Sequence, residues 1–359
     1  MDHALRRSRL SARFEELGVD GVLVTRLPNV RYLTGFSGSN GQALVTAGGG
    51  VFFTDGRYAE QAAHEVSSAL DPRIYLDGSP PVPEAVRDLG IGSLGFETAG
   101  ITHRTWRGLT DRLAGIELVP LEGEVERLRV CKDADEIELI ERAQAAADEA
   151  FERVVLGGSL KPGVTERTIA LELEIAMREA GAEDRGFDPV VAFGESGAEP
   201  HHHPGDHELR EGEAVTLDFG ALVQGYRSDM TRTVSVGEPH PRLREIREIV
   251  AAAQAAGLAA VRAGARVSEV DAAARAVIAE PGYGDAFPHP LGHGVGLEIH
   301  EDPFLRGDRE DVLPEGAVVT IEPGVYLPGL GGVRIEDMVE VTASGGRVIP
   351  TSTKELNLT

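Results

Sequence analysis

At 359 residues the chain exceeds what one hydrophobic core usually fills, because single cores stop growing at roughly 250 to 300 residues, so two domains are expected. Lys and Arg total 35 against 59 Asp and Glu, and a net charge of −24 repels phosphate backbones and anionic headgroups, which excludes nucleic acid and membranes as partners. The single cysteine, Cys131, excludes an intrachain disulfide framework and fits a reducing cytoplasm.

The N-terminus sets Leu10, Phe14 and Leu17 at helical spacing without the continuous apolar run of an export signal, and no later stretch approaches the ~18 apolar residues of a span. A cytoplasmic location is therefore expected. Up to about residue 122, short apolar or β-branched runs ("GVLVT", "QALVT", "VFFTD", "RIYL", "LGF", "IELVPL") alternate with helical patterns ("RYAEQAAHEV", "EAVRDLG", "RTWRGLTDRLAG"). That alternation predicts an α/β domain over 1–124, with Trp106 in its core.

"EVERLRVCKDADEIELIERAQAAADEAFERVV" follows as a long helical stretch that opens the second domain, 125–359, with Asp133 or Asp135 as its N-cap and Cys131 in a helix-flanking position. A helix at "TERTIALELEIAMREAG", a strand at "DPVVAFG" and two helical patterns between 241 and 280 come next, with strand pairs near 213–236 and 317–342. "EGEAVTLDFG" (211–220) aligns without a gap to "EGAVVTIEPG" (315–324), which predicts an internal duplication with two equivalent hairpins around a shared centre.

Period-2 alternation puts Val215, Leu217 and Phe219 on one strand face and Thr216 and Asp218 on the other. Symmetric pairing about "LVQG" sets Asp218 opposite Asp229; a turn centred on Gly329 sets Glu322 opposite Glu336. Opposed carboxylates lie about 4.5–5.5 Å apart at Cβ and repel, so they either share protons or bind cations. The segment "HPLGHGVGLEIHE" offers a nitrogen ligand, and its glycines suit close backbone approach better than a dinucleotide site. "AEPHHHPGD" (198–206) holds three adjacent histidines, of which at most one can face any given site.

"LDFG", "SDMTRT", "LGHGVGLEIHE", "IEPGVY" and "VRIEDMV" resemble, in order, the signature segments of the pita-bread metallopeptidases, in the proline-specific branch of Xaa-Pro aminopeptidases and Xaa-Pro dipeptidases. "VRYLTGFSGSNG" and "FFTDGRYAEQ" resemble the N-terminal domain of the same branch. The resemblance implies an α/β N-terminal domain plus a duplicated α+β pita-bread catalytic domain. It implies Asp218, Asp229, His293, Glu322 and Glu336 as ligands of two divalent ions, with Asp229 and Glu336 bridging. Manganese is the expected metal, and cobalt, zinc or iron are compatible with the donors.

The same resemblance selects His201 and His300 as histidines that enter the site without binding metal, leaving His202 and His203 as loop residues. Glu322, a ligand within reach of the attacking water, is the candidate general base. The expected substrates are peptides with proline at position two and the expected assembly is a homodimer. In "HEDPFLRG", Phe304 stands where some dipeptidases carry an arginine for the free carboxylate, and "FTDGRYAEQ" looks more like aminopeptidase P, so the resemblance favours an aminopeptidase over a dipeptidase. A peptide-binding relative that keeps the fold without catalysis, or a purely structural role for the metals, are the other readings.

Overall fold

In the computed structural model, which describes residues 1–76, 78–355 and the backbone of 357–358, the chain forms two compact units, Met1–Arg129 and Val130–Thr359. The first is α/β. Its six strands run in the spatial order Asp71–Tyr75, Gly49–Asp55, Gln42–Thr46, Gly21–Val24, Ser93–Glu97, Glu117–Leu121. Gln42–Thr46 pairs antiparallel with both Gly21–Val24 and Gly49–Asp55, the other pairings are parallel, and buried Leu23, Leu44, Val51, Phe53, Leu94 and Phe96 fill one side of the sheet with Val82, Ala85 and Val86.

Two expectations change here. Trp106 is not core: it is 38% exposed and stacks on His103, because the helix His103–Arg112 buries only Leu109. The long helical stretch is broken: a helix at Glu124–Val130 ends before Asp133, whose side chain caps a second helix, Ala134–Phe151, in a capping box with Glu136. Most of the shorter helix belongs to the first unit, although the sequence pattern begins the second domain near 124. Arg13 and Arg26 pair with Glu124 and Glu126, Tyr32 Oη donates to the Leu128 carbonyl at 2.9 Å, and Arg129 donates to Asn29 at 2.7 Å. Cys131 is exposed between the two helices.

The second unit is α+β and repeats one plan twice. Helices Ala134–Phe151 and Glu166–Glu179 accompany a sheet ordered Val190–Phe193, Ala214–Phe219, Met230–Val236, Asn357–Leu358. Helices Pro241–Ala260 and Val267–Ala279 accompany a sheet ordered Glu301–Leu305, Gly292–Gly294, Val318–Ile321, Asp337–Thr342, Gly345–Val348. In the second half, Leu243, Ile246, Val250 and Ala253 follow helical spacing and pack with Val267, Val270, Ala274 and Ile278 against Val319, Ile321, Val339 and Val341. This is the duplication that the sequence repeat predicts, in the pita-bread arrangement that the family resemblance implies.

The registers of the two hairpins differ from each other. Ile321 pairs with Asp337, and continuing that register sets Glu322 opposite Glu336, as expected. Asp218, however, pairs with Thr231. The turn sits one residue later than "LVQG" symmetry predicts, because Gln224 (φ 46°) and Gly225 (φ 81°) form its two central residues, with Val223 paired to Tyr226. Positive φ at both positions is the type I′ geometry that matches strand twist. A shift of one residue at the turn moves the pairing by two, so Asp218 and Asp229 stay on one face but lie diagonally.

Side chains join the halves. Arg232, 1% exposed, donates to Asp337 at 2.9 Å and to the carbonyls of Thr231, Ser352 and Thr353, and it also hydrogen bonds the Glu336 carbonyl. Thr233 donates to the Arg334 carbonyl at 3.0 Å and accepts from the Arg334 amide at 3.1 Å. Arg232→Ala removes one of the partners of buried Asp337, which keeps Lys354 and Gln254, and thermal or denaturant unfolding should register a loss of about 1.5–3 kcal/mol.

Candidate metal centre

Each acidic residue singled out by the sequence stands at or next to a strand end. Asp218 is the penultimate residue of Ala214–Phe219, Asp229 immediately precedes Met230–Val236, Glu322 immediately follows Val318–Ile321, and Glu336 immediately precedes Asp337–Thr342. His293 is the middle residue of Gly292–Gly294, where a Cβ on Gly292 would lie 2.0 Å from the Thr320 carbonyl oxygen. Only glycine lets that strand approach so closely. These five residues, with His201 and His300, line one cavity of about 280 Å³.

Within it, ligand atoms of Asp229, His293 and Glu336 all lie within 4.8 Å of one another. His293 Nε2 is 3.3 Å from Glu322 and 3.6 Å from Asp229. Asp218 Oδ2 accepts from Arg334 at 2.6 Å, while its Oδ1 is buried without a hydrogen-bond partner. His201 lines the cavity from its loop; His300 meets His293 ring-to-ring at 4.3 Å in a T-shaped contact. His202 behaves otherwise than an idle loop residue: its ring bonds Glu166 and Glu199. His203 is exposed.

Two threonines hydrogen bond the acids: Thr320, two residues before Glu322, bonds Glu322, and Thr231, two residues after Asp229, bonds Glu336 across the sheets. Thr320 Oγ1 donates to Glu322 at 3.0 Å and accepts from the His293 amide at 3.0 Å. Thr231 Oγ1 donates to Glu336 at 2.6 Å and accepts from Arg334 Nε at 3.0 Å. The "VT" before "IE" places Thr320 on the same strand face as Glu322, whereas the "VT" before "LD" places Thr216 against Thr233. Arg334, Tyr326 and His289 form a network that the sequence did not suggest: Arg334 donates to Tyr326 Oη at 2.8 Å, and Tyr326 lies 2.9 Å from His289 Nε2. His289 Nδ1 faces the Pro290 carbonyl at 2.8 Å, so Nδ1 carries the proton and Nε2 accepts from tyrosine.

The electrostatics follow from burial. Burial and the charges of Glu336, Asp218 and Glu322 push Asp229 well above the usual carboxylate range, and burial with Glu322 and Asp218 does the same to Glu336. Asp218 is raised by burial against the opposing pull of Arg334. Burial would raise Glu322 too, but its hydrogen bond and charge interaction with His293 outweigh this and hold it at about 2. His293 is raised, since Glu322 outweighs its burial, and His300 is lowered by burial and by His293. Such a cluster accepts positive charge from protons or from metal. The orphaned Asp218 oxygen and a donor set of four carboxylates and one imidazole fit hard to borderline divalent ions.

The pocket lining combines these donors with the apolar side chains of Phe187, Val190, Ile299 and Phe304. Two lysine- or arginine-containing features stand apart from it. Arg306 is half exposed and pairs with Asp308 at 2.9 Å, outside the lining. Glu301, directly after His300 in the chain, forms a buried ion pair with Lys132 at 2.8 Å.

Residues 138–343 match metallopeptidase family M24, and residues 6–131 match the creatinase/prolidase N-terminal domain. An Xaa-Pro dipeptidase of Pyrococcus horikoshii is 36% identical over 94% of this chain and 94% of its own. An Xaa-Pro dipeptidase structure from Bacillus anthracis superposes with a TM-score of 0.95 at 41% identity, covering 99% of both chains. An X-Pro aminopeptidase structure from Thermotoga maritima gives a TM-score of 0.89 at 34% identity, covering 96% of this chain and 99% of that one. The family implies divalent metal ions, in agreement with the donor set. No helix among the described residues is long and apolar enough to cross a membrane.

The raised carboxylates predict how the metal-free protein responds to pH. Between the unfolded carboxylate values near ~4 and the raised folded values, the folded state binds more protons, so stability falls as pH rises through that window. Divalent metal at 100 times its Kd should restore about 2.7 kcal/mol at neutral pH. Asp229→Asn, which removes one buried like charge, should raise the melting temperature of the chelated protein at pH 7 and shrink the metal-induced rise. Melting curves with and without manganese measure both effects.

Proposed function

We propose that this chain, which belongs to metallopeptidase family M24, hydrolyses the bond between an N-terminal residue and proline, and that it prefers the free dipeptide. The observation that carries the reading is the convergence of Asp218, Asp229, Glu322, Glu336, His201, His293 and His300 on one cavity with an apolar wall. Its ~280 Å³ lies at the small end of the range for ligand sites, a size suited to a short peptide. Asp218, Asp229, His293, Glu322 and Glu336 would hold two divalent ions, with Asp229 and Glu336 shared between them. When bound, those ions supply a water of lowered pKa and a Lewis acid for the scissile carbonyl.

The chain's own residues perform the rest. A bond to proline is a tertiary amide without an N–H, so backbone pairing cannot grip it and its nitrogen must be protonated to leave. Glu322, ionised through its bond to His293, receives the proton of the attacking water. His201 and His300 supply donors for the developing oxyanion and for the leaving nitrogen. The apolar residues Phe187, Val190, Ile299 and Phe304 suit the proline ring. Manganese as the ion and a cytoplasmic homodimer as the working form accompany this reading on the strength of the family resemblance.

The choice of a dipeptidase departs from the expectation drawn from Phe304. Full-length relatives named Xaa-Pro dipeptidases favour it, whereas the aminopeptidase reading rests on apolar Phe304, the likeness of "FTDGRYAEQ" to aminopeptidase P and an aminopeptidase neighbour. The fixed cation in the lining is Arg334, whose fork already serves Asp218 and Tyr326; it and the histidines are the candidates for contact with a substrate carboxylate. Measuring kcat/KM for an Xaa-Pro dipeptide, its C-terminal amide and a form extended by two residues tests this. Loss of one charged hydrogen bond, about 1.5–3 kcal/mol, predicts a 10- to 100-fold preference of roughly that order for the free dipeptide. Equal or better cleavage of the extended peptide returns the assignment to an aminopeptidase.

A further inference from the structure

His201 is carried by a loop whose attachment to the rest of the unit is unusual. The loop leaves the strand Val190–Phe193, passes His201 and returns to the N-terminus of the helix Glu166–Glu179. Glu166, 1% exposed, is the organising group of that junction. Its Oε1 accepts from the Phe193 amide at 2.9 Å, where the loop begins. Its Oε2 accepts from the Gly205 amide at 2.9 Å, where the loop ends, and from His202 Nε2 at 2.9 Å in between. The Arg167 amide donates to the Gly205 carbonyl and the Glu166 amide to the His207 carbonyl, closing the same seam.

The residue before His201 is held as well. Pro200 offers its carbonyl to Arg334 at 3.5 Å, and the Arg334 fork also bonds Asp218. His201 therefore hangs between two fixed neighbours, one tied to the acid cluster and the other to Glu166. The His202 ring is bonded at both nitrogens, with Nδ1 at 3.2 Å from Glu199, so only the doubly protonated ring donates to both carboxylates. Burial works against that charge, but the two carboxylates outweigh it and raise His202, while His202 and two amides hold Glu166 down despite its burial.

We propose that His202 is a positioning residue: its bond to buried Glu166 fixes the loop so that His201 stays aimed into the cavity. This rests on the proposed peptidase function, in which His201 touches the substrate. A misplacement of about 1 Å in a reacting group can reduce turnover on the order of 10²-fold, which is the scale on which such an anchor acts.

The test uses the full chain loaded with manganese and an Xaa-Pro dipeptide. His202→Ala should lower kcat by ten-fold or more, on the order of the positional effect above, with little change in KM or in metal content. Combined with His201→Ala it should add nothing to the loss from His201→Ala alone, because an anchor acts only through the group it holds. His202→Gln, which keeps a donor at similar reach, should recover most of the turnover, and His203→Ala should leave it unchanged. Wild-type kcat in His202→Ala, or independent losses that multiply in the double variant, overturns the proposal. A second measurement needs no activity: in protein labelled with ¹⁵N at histidine, the Nε2 proton of His202, assigned by its disappearance in His202→Gln, should exchange slowly with solvent. Rapid exchange overturns the anchor even in an active enzyme. Slow exchange in a chain that cleaves no Xaa-Pro peptide supports the anchor and faults the peptidase reading instead.

Discussion

Four carboxylates brought into one buried cavity set the terms for the rest of the second unit. A pair of like charges 4 Å apart costs about 4 kcal/mol even at an effective dielectric of ~20, and desolvation adds to it. The fold holds them there by rigidity. Each acid stands at the end of a strand whose ladder fixes its backbone, and threonines, an arginine and a histidine engage the carboxylates. The Asp218 oxygen without a partner and the strongly raised Asp229 and Glu336 show what remains unmet by the protein's own groups. That residual demand for positive charge is the property a metal centre requires.

Around this cluster the same problem is solved twice, once in each half. Two helices and a hairpin-bearing sheet form each half, and the halves meet where Arg232 enters the opposite sheet to bond Asp337. Thr231 and Thr233 use side chains to continue bonding between strands of different sheets. The joint lies beside the acids, so the contacts that secure the duplication also fix the distances between Glu336 and Asp229.

The histidines that could do proton work come from outside the ladders and need separate anchoring. His300 immediately precedes Glu301, whose buried pairing with Lys132 ties that turn to the segment before the helix Ala134–Phe151. His201 immediately precedes His202, bonded to Glu166. Both anchors are ion pairs of low exposure, a device that contributes little net stability after desolvation but holds a defined geometry. Arg334 reaches both the Asp218 carboxylate and the Pro200 carbonyl, linking the cluster to the loop.

Much of this was legible without coordinates because it is local. Period-2 alternation marked the strands and put Asp218 on the face opposite Val215, Leu217 and Phe219. The gapless repeat of "EGEAVTLDFG" and "EGAVVTIEPG" announced the duplication, and the centre of the second turn at Gly329 correctly paired Glu322 with Glu336. What tertiary structure alone decided is non-local. The first hairpin turns on Gln224-Gly225, so Asp218 faces Thr231; strand pattern by itself leaves a two-residue slip open, since it keeps every side chain on its face. Trp106 lies on a helix face that the sheet leaves largely uncovered. His202 and His203 are adjacent and chemically identical, yet only His202 reaches Glu166, which is 36 positions away in the chain. Sequence by itself determined which residue types were present and which face of each strand carried them, because those depend on neighbours along the chain. Partners, protonation and the division of labour within "HHH" depend on groups brought together by folding, and only the tertiary structure decided them.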